Sequence, residues 1–440
     1  KLYKFMYFIK YLLLSMAVLW TVNSHATNGY FMVGYGAKSI GTAGAGVAYA
    51  QDTLAGAVNP AGMAYIEDGF DVGMRFIQFE RKGSIDCRGI GACDAVIKDQ
   101  SSREVFYAPN FGYRRALNDQ WSAGVSVYAN GGINSVYGRN FYTETIARIT
   151  GGGPGDPGFP RTGKLGVDFS QLFIAPSLAW RPQSHFAIGI SPLFAVQRFS
   201  TRGFEVFRPL SADPSSVTGR STEYMLGGGV RIGGVVSLFD GLRLGGQYTS
   251  PIWFKRSTKY NGLLANNGKF NAPPHWTVGL SWDPIQSLTV MFDFRRILFD
   301  SSDPVSNPGP KAAELLGVIS SDRLLGAGDG IGFGWRNQSI FNLGVIYRFN
   351  EKLTFRAGYN FSATQIPNRE TLINFVSPAT INDNAALGFS WNFGAVGELT
   401  MSYQRAFKNS ISDRRTALFG ASARASILQN FLDVSWARRF

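Results

Sequence analysis

Four kinds of residue in this chain could do chemistry. The first is a glycine-rich stretch, GTAGAGVAYAQDTLAGAVNPAG, from Gly41 to Gly62. Such loops cradle phosphates when backbone N–H groups converge at a helix N-terminus. Here the glycines do not follow G-x-G-x-x-G and no G-K-[ST] comes after them. A nucleotide site is not expected, and neither is a cofactor. The second is Cys87 and Cys93, the only cysteines, in CRGIGAC. In an exported chain a small even count suggests one disulfide closing a short loop. A zinc site is not expected, because His185 and His275 are the only histidines beyond residue 26. The third kind is those histidines themselves. Neither has the serine and acid neighbours in sequence that a nucleophilic centre uses, so an enzyme is not expected. The fourth is a set of arginines in alternating segments. A buried carboxylate calls for a cation with hydrogen bonds. Arg75, Arg231, Arg295 and Arg356 are therefore candidate contacts for an acidic ligand, with Arg243 a further cation on the same face. Arginines of this kind also pair with acids on their own face, such as Asp71 and Asp293.

The elements that must position these residues are strands. From about Asp68 onward, short runs alternate apolar and polar residues and are separated by turn residues. In KLTFRAGYNFS, Leu353, Phe355, Ala357, Tyr359 and Phe361 share one face, opposite Thr354, Arg356, Gly358 and Asn360. SIFNLGVIYRF, HWTVGLSWD, SLTVMFDFRR and NAALGFSWNF repeat the pattern. A period of two demands extended chain. Charged residues make up only 17% of the 440, aromatics reach 14%, and there are 52 glycines. A soluble chain carries about 25% charge. No run of 18 apolar residues, which a membrane helix would need, follows residue 26. Together these point to an all-β transmembrane barrel, apolar outside and polar within. Trp121, Trp180, Trp282, Trp436 and Tyr347, near strand ends, suit interfacial girdles.

Connection lengths give the strand number. Short ones fall at 117–120, 181–184, 238–241, 283–286, 350–352 and 393–397. Long ones fall near 83–102, 138–166, 203–220, 257–271, 301–337, 364–380 and 409–426. Thirteen connections imply fourteen antiparallel strands, with both ends of the barrel on the short-turn side. Residues 310–326 and 142–149 show helical spacing within the long loops. At the N-terminus, Lys1, Lys4 and Lys10 precede the apolar YLLLSMAVLW and the cleavage-like SHA at 24–26. This reads as a signal peptide, residues 1–26, with Thr27 as the mature start. Removing its three lysines takes the formal charge from +13 to +10. The cations are scattered, so nucleic acid is not expected as a partner, and anionic lipid head groups, lipopolysaccharide among them, are. FLDVSWARRF ends on Phe440, the terminal aromatic read by the outer-membrane assembly machinery.

The segment TNGYFMVGYGAKSIGTAGAGVAYAQDTLAGAVNPAGMA resembles the N-terminal plug of the FadL/TodX family of outer-membrane hydrophobic-compound transporters. The likeness rests on its small residues, the step at Ala50-Gln51-Asp52, and the signature Asn59-Pro60-Ala61. WSAGVSVYANGGINSVYG, 121–138, resembles the family's kinked third strand. The resemblance implies a hatch over residues 27–66 inside a fourteen-stranded barrel over 67–440, in a monomeric chain of the Gram-negative outer membrane. It implies that a hydrophobic ligand enters an interior pocket, that the hatch rearranges, and that the ligand leaves sideways at a third-strand kink, Asn130-Gly131-Gly132. Long-chain fatty acids are the first expectation for the substrate. Neutral aromatic or alkane hydrocarbons are the alternative, and a general porin a second one.

Overall fold

The computed structural model describes residues 28–152, 163–414 and 418–440. The expected signal peptide, 1–26, and Thr27 lie outside the described residues. Fourteen antiparallel strands form one closed sheet. They are β1 (Gly69–Asp86), β2 (Val105–Ala116), β3 (Trp121–Tyr137), β4 (Leu165–Gln183), β5 (Phe186–Arg202), β6 (Glu223–Phe239) and β7 (Leu242–Thr249), then β8 (His275–Ile285), β9 (Leu288–Ile297), β10 (Gln338–Arg348), β11 (Leu353–Ser362), β12 (Asp383–Asn392), β13 (Glu398–Asp413) and β14 (Ser422–Arg439). Each pairs with its sequence neighbours. β1 closes the ring against β14 in unbroken register, from Gly69↔Arg439 to Asp86↔Ser422. Closure leaves the sheet without a terminal edge strand, as a sheet in lipid requires. Two further short strands sit outside the ring: Val96–Gln100 extends the hairpin at the end of β1, and Trp253–Phe254 pairs with β6.

The alternation expected from the sequence sets the two faces. Along β10, Gln338, Ile340, Asn342 and Ile346 are buried, while Phe341, Leu343 and Val345 point out beside Tyr347. Outward residues such as Leu387 and Tyr403 are exposed large apolar groups, and their solvent is the bilayer. Trp121 and Trp180 are paired across β3 and β4 and stack at 5.9 Å near the short-turn end.

The short turns fall where the sequence places them. Three long connections differ. The one expected near 257–271 spans 250–274, because β7 ends at Thr249 and β8 starts at His275. The loop expected over 409–426 is much shorter, because β13 runs to Asp413 and β14 starts at Ser422. A bulge between Ala406 and Asn409 resets the alternation, so that Ile411 and Asp413 still turn inward. The helical spacing over 310–326 yields only Ala312–Leu315 and a 3-10 turn at Ser321–Arg323. Gly317, at φ 88°, stops the first, and Leu316 and Val318 remain exposed. The spacing over 142–149 does form a helix, Phe141–Thr150.

Candidate functional site

Residues 28–66 fill the barrel on its short-turn side. Their backbone is small enough to lie directly on the wall. At Gly358 of β11 an added Cβ would overlap the Thr42–Ala43 peptide, so a side chain there would displace the segment. Asn59 organises the C-terminal part. Its side-chain oxygen accepts from Ala61 N at 3.1 Å, capping the 3-10 helix Pro60–Tyr65, while its amide donates to Val47 O at 2.8 Å and to Gly234 O of β6 at 3.1 Å. Pro60 sits at the first helical position, where its missing N–H costs nothing. Ala61 is fully buried. Asp293 accepts from Gly46 N and Val47 N at 2.8 and 2.9 Å, and Asp71 accepts from Thr53 N.

Three of the four arginines singled out in the sequence serve this segment. Arg75 pairs with Asp433 at 2.9 Å and donates to Gly34 O at 2.8 Å. Arg231 donates to Gly56 O at 2.8 Å, as well as to Thr249 and Tyr128. Arg356 donates to Gln51 at 2.9 Å and to Ser390 at 2.7 Å. Their donors are occupied by protein. Arg243 is likewise engaged, by Asp283 at 2.7 Å.

Arg295 differs. It is 7% exposed, its guanidinium lies 5.2 Å from the Phe31 ring, and its Nε and one terminal nitrogen have no hydrogen-bond partner among the described residues. A second such cation, Arg81, was not singled out in the sequence. It is 2% exposed, it stacks at 3.8 Å on Phe79, and the one hydrogen bond of its guanidinium among the described residues is a 3.4 Å contact to Arg103 O. Neither Arg81 nor Arg295 forms an ion pair among the described residues. Arg81 shares the inward parity of Arg75 on β1. That parity, together with a first long loop expected to start only at 83, was enough to identify it.

Arg81 lines a chamber of about 50 Å³ above the N-terminal segment, with Phe79, Ile133, Ile427, Phe431 and the backbone of residues 28–33. Phe31, whose face carries Arg295, is part of its floor. Tyr30 lies against Phe169 at 5.1 Å and Phe299 at 6.0 Å, and Phe299 packs on Trp335. The long loops close the top. Asn140 caps the helix Phe141–Thr150, Phe141 stacks on Phe375 at 5.0 Å, and Tyr142 donates to Leu372 O. Glu144 on that helix is held by Arg139 and Arg148. Burial pushes the Glu144 carboxyl up, but hydrogen bonds from both arginines outweigh it and hold it below the ordinary range. Cys87 and Cys93 are joined in a disulfide at the tip of the first loop.

Beside the chamber the barrel wall is split. β2 and β3 pair only from Ala116↔Ser122 to Phe111↔Val127, although β2 begins at Val105 and β3 continues to Tyr137. The split begins just before a bulge in β3, between Ala129 and Gly131, where Asn130 is the extra residue. The N-terminal segment occupies this unpaired edge. Met32 N donates to Asn130 O and Gly132 N donates to Tyr30 O, each at 3.0 Å, and Phe31 bridges Gly131. The Asn130 side chain accepts from Tyr35 and donates to Gln171. A Cβ at Gly131 would overlap the Tyr30 carbonyl, so only glycine lets the two backbones meet.

Residues 19–151 match the family model described as "Outer membrane protein transport protein (OMPP1/FadL/TodX)". No curated protein matches the sequence. Among solved structures, the Pseudomonas putida toluene transporter TodX is similar at 16% identity and TM-score 0.66, over 93% of this chain and 99% of that one. A Pseudomonas aeruginosa FadL homologue is similar at 16% identity and TM-score 0.65, over 93% and 100%. The Ralstonia pickettii toluene transporter TbuX gives 16% and 0.60, over 93% and 99%. At that identity the structures speak for a shared barrel. Residues 19–151 are thus similar in sequence to the OMPP1/FadL/TodX outer-membrane transport proteins, and the whole chain shares the barrel fold of TodX, TbuX and the FadL homologue.

Proposed function

We propose that the protein takes up amphipathic hydrophobic compounds, long-chain fatty acids first among them, by diffusion through the chamber and out sideways at the split between β2 and β3. In this reading residues 27–66 are a hatch. The segment Gly41–Ala64 is its fixed seat, tied down by Arg75, Arg231 and Arg356, and residues 28–33 are the part that yields. The observation that carries the reading is the chamber, where the buried cation Arg81 sits among Phe79, Ile427 and Phe431; Arg295 lies behind the Phe31 ring of its floor, outside the lining, and neither arginine is neutralised by a carboxylate among the described residues. A buried charge without a partner is costly. A ligand carboxylate relieves that cost, while its chain lies against Phe79, Ile427 and Phe431. The bulge at Asn130-Gly131-Gly132 supports the lateral exit, since moving residues 30–32 off β3 uncovers the unpaired edge.

A second reading, a neutral aromatic substrate, is favoured by the ring cluster of Tyr30, Phe31, Phe169, Phe299 and Trp335, and by the toluene named for two of the similar structures. Binding of oleate and of toluene to the purified protein separates the two. Arg81→Leu and Arg295→Leu are expected to weaken oleate binding about tenfold to a hundredfold, as loss of a charged hydrogen bond does, and to leave toluene binding unchanged. Oleate binding that survives both substitutions would eliminate the carboxylate reading.

A further inference from the structure

The outer wall carries a second constellation, unrelated to the chamber. It lies near the loop ends of β13, β14, β1 and the short strand Val96–Gln100. The pairings place Ser412, Arg424, Ser84 and Lys98 side by side on one rung, Ser412↔Arg424, Ser84↔Arg424 and Ser84↔Lys98. The next rung toward the membrane holds Ser410, Ser426, Lys82 and Gln100. Inward residues on these strands, Ala423, Ile85 and Ile97, are buried, which turns the rung residues outward, and Arg424, Lys98 and Ser412 are exposed. Strands lie about 4.8 Å apart, so the Arg424 and Lys98 backbones are about 10 Å apart with small serines between and beside them. Two long cationic side chains over a floor of hydroxyls make a groove, and its open volume is about 700 Å³.

The charge in this groove is not internally cancelled. Asp86, on its upper margin, is taken up by Arg88, which holds it with hydrogen bonds of 2.9 and 2.7 Å. Lys82 is taken up by Glu80 at 2.7 Å. Arg424 donates to Ser410 at 3.2 Å, and neither Arg424 nor Lys98 forms an ion pair among the described residues. Asp413, at the rim, is buried on the inward face. The groove is continuous with the bilayer surface below it. Phe76, Leu432 and Tyr403 are the outward apolar residues on the same strands, and Gln78, Asn430 and Arg405 form the polar step above them. From Phe76 to Ser84 is about 26 Å along a tilted strand, which is headgroup height rather than acyl-chain depth.

We propose that this groove binds a phosphate group of an outer-leaflet glycolipid, with Arg424 and Lys98 as the charged contacts and Ser84 and Ser412 as hydroxyl donors. Guanidinium and ammonium groups over hydroxyls suit a phosphate's several acceptor oxygens. The lipid is the source because the groove opens onto the lipid-facing wall, where the acyl chains of the same molecule can lie against Phe76 and Leu432. The ligand anchors the closing seam between β14 and β1.

The test uses the purified full-length protein in detergent. The probes are rough lipopolysaccharide, the same lipopolysaccharide after removal of its phosphates, and inorganic phosphate. The parent protein is expected to retain lipopolysaccharide at least about tenfold better than the dephosphorylated form. Lys98→Gln with Arg424→Gln is expected to abolish that difference, and Lys98→Arg with Arg424→Lys to keep it. Inorganic phosphate at the same concentration is expected not to compete. Equal binding of the two lipopolysaccharides by the parent protein, unchanged retention by the glutamine variant, or displacement by inorganic phosphate alone would each overturn the assignment. The first comparison needs no variant to fold.

Discussion

At the residue scale, the arginines separate into two jobs that their sequence positions do not distinguish. Arg75, Arg231 and Arg356 hold the N-terminal segment, and Arg81 and Arg295 are left without carboxylate partners. Parity on a strand shows that a side chain turns inward. It does not show which group from a distant segment will meet it, and the Gly34 and Gly56 carbonyls and the Gln51 side-chain oxygen are such partners. Exchanging Arg231 for Leu is therefore expected to loosen the hatch rather than to select against oleate. Small-ion conductance should rise, while the ratio of oleate to toluene binding stays near that of the parent. Gly131 is the other decisive residue. Gly131→Val puts side-chain atoms where the Tyr30 carbonyl lies and breaks the docking of residues 30–32. A reporter made by Phe31→Cys, buried in the parent, is expected to react with a thiol reagent at least about tenfold faster when Gly131→Val is added, since two backbone hydrogen bonds of about 1 kcal/mol each are lost. Equal rates would mean that this contact does not hold the tail.

At the element scale, strands were legible and loops were not. A period of two survives in sequence because every second side chain meets lipid. It sufficed to place all fourteen strands and the six short turns. The end of β13 was misread because a bulge at Ala406–Asn409 shifts the phase, and a phase shift looks like a loop. The seam between β2 and β3 was legible only through the glycines at 131 and 132, since loss of pairing leaves no mark on composition. The chamber's lid depends on contacts between loops far apart in sequence, such as Phe141 on Phe375, and nothing local announces them. The helix Phe141–Thr150 carries a pH prediction. Glu144 has a lowered folded-state value against an ordinary one of 4.5. A depressed carboxyl contributes stability above its unfolded value and loses it as pH falls through its folded one. Hydrogen-exchange protection of 141–150 should therefore hold at neutral pH and drop below about pH 4, with Glu144→Gln removing the dependence. Protection that ignores pH in the parent would contradict the role given to the Arg139–Glu144–Arg148 group.

At the scale of the whole molecule, the barrel is a rigid ring around a segment that is mostly bolted down. The ring has no edge to pair with a neighbour except where β2 and β3 part, and there the chain covers it with its own residues 30–32. In the proposed function this arrangement excludes ions and passes apolar compounds, because the axial path is filled and the side path opens into lipid. Removal of residues 27–64 should leave a barrel that still assembles and that conducts small ions far better than the parent in planar bilayers. The most direct test of the side path is to take away the bulge. Asn130 is the extra residue between Ala129 and Gly131, and deleting it keeps the register of β3 against β4 while straightening the strand. Uptake of a labelled hydrophobic compound into protein-containing vesicles should then fall to the level of empty vesicles, with the barrel still folded by its resistance to detergent. Uptake equal to that of the parent would contradict lateral exit at the β2–β3 seam.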